Sequence, residues 1–165
     1  MNREQTFVSD ELSKMLIKQI MHEQTNANIY GIMSNYFDSI GLENCHKWFA
    51  HQREEELGHA QKIIDFCTSA GVELHFESVQ AIDLSDMLDP VKLMKHYLDL
   101  EIETTESIRL LCKQALVDSD FISFNFLNDF IKDQLSEENE AQTRLQIFYN
   151  TKDWIIADHA VGDLS

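Results

Sequence analysis

Residues 71–90 read GVELHFESVQAIDLSDMLDP, and the two ends of that stretch carry opposite signals. Gly71 follows a long helical pattern and is a natural C′ stop, while Asp89 before Pro90 is an N-cap followed by the favoured first-turn proline. Between stop and start lie the seventeen residues 72–88. Fully extended they reach about 56 Å at roughly 3.3 Å per residue. A 28-residue helix is about 42 Å long, so the segment can run the whole length of a helical bundle and deliver the chain to its opposite end.

Outward from this crossover, the spacing predicts helices over about 9–37 and 43–70 before it, and 90–117 and 120–150 after it. Ser9 caps the first, with Asp10 and Glu11 in its opening turn, and the loop carrying Gly41 ends it. Within each half the helices are joined by short turns, as antiparallel neighbours require. Two such pairs joined by one long crossover make an all-α four-helix bundle. A short fifth helix over about 152–163 closes the chain, too apolar at Trp154, Ile155, Ile156, Ala157 and Val161 for a solvated tail. Five glycines and one proline in 165 residues agree with long uninterrupted helices, and the length suits a single domain over 1–165.

The charge restricts the partners. Thirteen basic against 29 acidic residues leave a formal charge of −16, which repels phosphate backbones, so no nucleic acid is expected and metal cations are the natural complement. Cys45, Cys67 and Cys112 are far apart and form no CxxC, as expected of reduced thiols in a cytoplasmic protein. The first twenty residues mix charged and apolar positions unlike a signal peptide, and no apolar run is long enough for a membrane span.

Each helix carries one acid on its apolar stripe. The first stripe runs Leu12, Leu16, Gln19, Glu23, Ala27, Tyr30, Ser34, Phe37, and the second Cys45, Phe49, Gln52, Glu56, His59, Ile63, Phe66. The third contains Leu98, Glu101 and Thr105, and the fourth Phe130, Gln134, Glu137 and Ala141. All four acids fall within about one turn of their helix midpoints, which share one level in a bundle of equal antiparallel helices. Four carboxylates converging in an apolar interior repel one another and lose hydration, and two divalent cations would neutralise them. His59, three residues after Glu56, shares its face and can add an imidazole. Carboxylates with one imidazole suit iron or manganese, and zinc can compete. A metal-free structural bundle is the competing reading, and it requires the four acids to face solvent.

With HEQTNANIY at 22–30, EELGH at 55–59, LEIE at 100–103, SFNFL at 123–127 and DQLSEE at 133–138, the chain resembles the non-haem bacterial ferritins over nearly its whole length. The resemblance implies a ferritin-like bundle in a homo-oligomeric shell of two dozen subunits. It also implies oxidation of Fe(II) by O₂ or H₂O₂ at a site for two iron ions in each subunit, and storage of the Fe(III) mineral. By motif, Glu23 and His59 correspond to ligands of the first iron, Glu56 to the bridge, and Glu101 and Glu137 to ligands of the second. Tyr30 and Gln134 correspond to the tyrosine and glutamine beside the centre. The fourth helix has no second Glu-x-x-His, and Leu57 stands where bacterioferritins place a haem-ligating methionine, so no haem is expected. A third, weaker iron site would use Glu55 and Asp133, but Ser136 stands where a further acid is expected. A related peroxide reductase is the other enzymatic reading, although the Cys-rich module usual in rubrerythrins is missing from this sequence. Gly58 is unusual in a helix interior, and the sequence does not account for it; close helix packing beside the site is one reading.

Overall fold

The computed structural model describes residues 6–78 and 81–164. Its helices are α1 (Asp10–Ser39), α2 (Glu43–Ala70), α3 (Pro90–Val117), α4 (Phe121–Asn150) and α5 (Trp154–Gly162). The fold is an all-α four-helix bundle with a short C-terminal helix, and no strand occurs among the described residues. α1 packs along α2 and α3 along α4, α1 contacts α3 across the bundle, and α5 closes one end against α2 and α4.

Side-chain caps set most of the helix starts. Ser9, Asp89 and Asp120 accept hydrogen bonds from the backbone N–H three residues on, at 3.1, 3.0 and 2.9 Å. Asp153 caps α5 through Ile155 and Ile156. Three of the helix ends share one device. Gly41, Gly71 and Ser119 take left-handed backbone at φ 77°, 79° and 56°, and the next residue bonds back to the carbonyl five positions earlier. α1 therefore runs to Ser39, two residues beyond its expected end. Ser119 does a glycine's job at a steric cost that glycine would not incur.

The crossover includes a 3₁₀ turn, Ser85–Met87, and Leu84 is buried. Tyr36 Oη donates to Leu88 O at 3.2 Å, tying its far end to α1. Val79 and Gln80 of the crossover lie outside the described residues.

The interior divides into two apolar clusters. One is aromatic, with Tyr30, Phe37, Phe49, Tyr97 and Phe148. The other is mainly aliphatic, with Leu12, Leu16, Ile20, Ile63, Ile108 and Leu127. On each of the four long helices, the stripe acid falls in sequence between residues of one cluster and residues of the other. The fold thus interrupts its own core at one level, and there the polar side chains collect.

Candidate metal centre

Glu23, Glu56 and Glu101 are 0, 3 and 1% exposed, and His59 and Gln134 are also buried. One ligand atom each from Glu23, Glu56 and His59 lies within 4.8 Å of the others. His59 links both sides of the bundle. Its Nδ1 lies 3.6 Å from Glu56 Oε2 on its own helix, and its Nε2 lies 3.5 Å from Glu137 Oε1 on α4. The Glu137 side chain keeps 16% of its surface, making it the most accessible of the four acids.

Hydrogen bonds treat the four carboxylates unequally. Gln19 Nε2 donates to Glu23 Oε1 at 2.7 Å and is itself held by Ser107 Oγ, which donates to Gln19 Oε1 at 2.7 Å. On α3, Tyr30 Oη donates to Glu101 Oε1 and Gln134 Nε2 donates to Oε2 at 3.1 Å, so both oxygens of Glu101 are engaged. Glu23 Oε2 and Glu56 Oε2 are buried with no N–H or hydroxyl donor among the described residues. An unpaired carboxylate oxygen in an apolar interior is costly, and a bound cation is the chemistry that compensates it.

The electrostatics follow from that crowding. Burial, with the Glu56 carboxylate adding to it, pushes Glu23 well above the usual carboxylate range. Burial first, then Glu101, Glu137 and Glu55, lifts Glu56 to about 8 against an opposing interaction with Glu23. Burial lifts Glu137 to about 8 although His59 opposes it. Glu101 is raised by burial and held back by its hydrogen bonds from Tyr30 and Gln134. Burial and Glu101 keep the Tyr30 phenol protonated, so it acts as a donor. A divalent cation would reverse this pattern by stabilising the charged forms.

Of the residues considered for a third site, Glu55 lies near enough to the centre to raise Glu56 and Glu137. Glu55 and Asp133 are exposed, and Glu55 pairs with Gln52 and with His51 Nε2 at 3.5 Å. Ser136 donates to Glu140 instead of supplying a carboxylate. Gly58 is exposed, and nothing among the described residues lies within 4 Å of where its Cβ would be, so close packing does not explain it.

Gln19 and Gln52, which the stripes contain without assigning them a role, hydrogen-bond beside the centre. Gln52 accepts from Tyr97 Oη at 2.9 Å and donates to Glu55. Their signal was present in the sequence, as a glutamine one turn before the stripe acid on α1 and again on α2. Near this level, His22 Nε2 and Thr104 Oγ1 join α1 to α3 at 2.8 Å, and Asn26 donates to Thr104 at 3.1 Å. Among the described residues no helix is long and apolar enough to cross a membrane.

The family profile described as Ferritin-like domain matches residues 13–148. A bacterial non-heme ferritin of Staphylococcus aureus (strain USA300) is 32% identical over 140 residues, spanning 84% of this chain and 82% of that protein. Its counterpart in Bacteroides fragilis (strain 638R) is 26% identical over 140 residues, spanning 82% and 84%. Among solved structures, an open pore ferritin from the hyperthermophilic archaeon Archaeoglobus fulgidus superposes with a TM-score of 0.88 at 28% identity, over 93% of this chain and 97% of that one. A humanized archaeal ferritin gives 0.89 at 30% identity, over 96% of each chain.

Proposed function

The chain belongs to the ferritin-like family, for which iron storage is the shared role, and from that premise we propose that each bundle oxidises Fe(II) before storing it. The observation that carries the proposal is the pair of bare buried oxygens, Glu23 Oε2 and Glu56 Oε2, beside His59. Glu23 and His59 bind the first Fe(II), Glu56 bridges to the second, and Glu101 and Glu137 complete the second position. Tyr30 and Gln134 hold Glu101 in one orientation, so that it meets the substrate without a rotamer search.

Two Fe(II) supply two electrons. O₂ takes them with two protons to give H₂O₂, or H₂O₂ takes them with two protons to give two waters. Carboxyls protonated in the iron-free protein release protons as Fe(II) binds, and the resulting carboxylates favour Fe(III) over Fe(II) because the attraction grows with charge. That preference draws the reaction forward.

The proposal extends to a homo-oligomeric shell of two dozen subunits and to a cytoplasmic setting, in which the free thiols Cys45, Cys67 and Cys112 stay reduced. No haem is proposed, because Leu57 occupies the position where bacterioferritins carry a methionine. The test is an equilibrium Fe(II) titration of chelated protein under anaerobic conditions, followed by stopped-flow oxidation. Two tight sites per chain and rapid oxidation are expected. Zero tight sites overturns the reading.

A further inference from the structure

On another part of the bundle, a cavity of about 730 Å³ opens among α2, α4 and α5. Arg144 lines it, 3% exposed, with its guanidinium carbon 3.2 Å from the centre of the Trp48 ring. Such a stack satisfies the face of a guanidinium and leaves its N–H edge in need of acceptors. Arg144 Nη1 donates to the Glu140 carbonyl at 3.2 Å and lies 3.9 Å from the Glu140 carboxylate, beyond hydrogen-bond distance. Arg144 Nε and Trp48 Nε1 are buried with no partner among the described residues.

The carboxylates on the same wall each have a donor other than Arg144. Glu55 takes a donor from Gln52 and lies 3.5 Å from His51 Nε2, and Glu140 takes a donor from Ser136. Arg144 Nε and Trp48 Nε1 are thus donors without a counterpart, and the group missing beside them is an acceptor. Burial also destabilises the charged form of Arg144, which is the condition under which a cation gains most from a counter-ion. Thr143 and Lys47, both in the lining, add a hydroxyl and an ammonium, the latter resting on exposed Glu43 at 2.7 Å.

We propose that the Arg144–Trp48 cavity binds a phosphate-type oxyanion, free or carried on a small molecule, with the Arg144 guanidinium as its anchor. In a chain of charge −16, a buried guanidinium with unpaired donors gives an anion a local reason to bind that the overall charge denies it. The inference does not depend on the iron chemistry proposed above.

The test uses assembled, chelated protein, so that phosphate cannot bind through iron, and titrates inorganic phosphate and adenosine monophosphate in parallel by calorimetry. Saturable binding with one site per chain is expected. Equal affinities identify free phosphate as sufficient, and tighter binding of the nucleotide identifies a carried phosphate. Arg144→Gln, checked for helicity and assembly, weakens binding roughly tenfold or more. Glu140→Gln tightens it, because it removes the nearest competing negative charge. A purely structural Arg144–Glu140 pair predicts no such gain. Absence of saturable binding by either ligand, undiminished affinity in Arg144→Gln, or unchanged or weaker affinity in Glu140→Gln overturns the proposal.

Discussion

The α1–α2 pair and the α3–α4 pair bring acids to the same level in different states. Glu23 and Glu56 each keep one buried oxygen without a donor and converge with His59. Glu101, by contrast, is held at both oxygens by Tyr30 and Gln134, and Glu137 retains some solvent. The first pair keeps buried oxygens without donors and invites a cation outright. The second is prearranged by hydrogen bonds, so it tolerates an empty state and orients its ligands in advance. One centre thus combines a half that gains most from binding with a half that is already positioned.

Removing the residue proposed to bridge the two iron positions should have the largest effect. Glu56→Ala is expected to slow Fe(II) oxidation by at least about 100-fold in stopped flow, with assembly unchanged by native mass measurement. Oxidation at the wild-type rate would break the assignment of Glu56 as the bridge. The two halves separate next. His59→Ala should remove the tighter of two Fe(II) sites, and Glu137→Ala the weaker, in anaerobic titrations. Identical losses in the two variants would erase the contrast.

The pH dependence tests the buried carboxyls directly. Because Glu56 and Glu137 are raised to about 8, the folded iron-free protein holds protons that the unfolded chain releases above the ordinary carboxylate range. More protons on the native state means that stability falls as pH rises. The contribution of these groups is therefore fully present at about pH 4 and is lost progressively toward pH 8, by an amount on the order of a few kcal/mol. Melting of the chelated protein should show this decline, and bound Zn²⁺ should flatten it. Glu56→Gln should flatten it more than Glu101→Gln, since Glu101 already has its donors. Equal effects would contradict the comparison.

A smaller change is expected from Tyr30→Phe. Losing the donor to Glu101 should cost about 1–2 kcal/mol in denaturant unfolding and slow oxidation only a few-fold. The smallest effects concern backbone. Ser119→Gly relieves the left-handed turn between α3 and α4, which the Gly41 turn between α1 and α2 already avoids, and should stabilise by roughly 0.5–1 kcal/mol. Gly58→Ala should stabilise by about 1 kcal/mol, because its Cβ position is open. A loss of stability there would mean that α2 needs its flexibility between Glu56 and His59.

The helices were legible because their punctuation is local. Gly71 and Asp89–Pro90 act through backbone geometry within a few residues, and so do Ser9, Asp120 and Gly41. The level of the acids was legible too, since helix rise is constant and the midpoints follow from the ends. Partner choice was not. That Gln19 is fixed by Ser107 from 88 positions away, or that Tyr30 donates to Glu101 across 71, depends on which helix faces which. No stripe pattern encodes that. The surroundings of Gly58 were not legible for this reason either, because a glycine's neighbours belong to other elements.

The sequence by itself determined an all-α bundle, its crossover, and the set of acids that interrupt the apolar faces, since helix period and capping are short-range properties of the chain. Only the tertiary structure decided which oxygens remain bare, that Glu101 is saturated while Glu23 and Glu56 are not, and that Arg144 stacks on Trp48 with donors to spare. Hydrogen-bond satisfaction belongs to atoms brought together by folding, and it appears only when all four helices are in place.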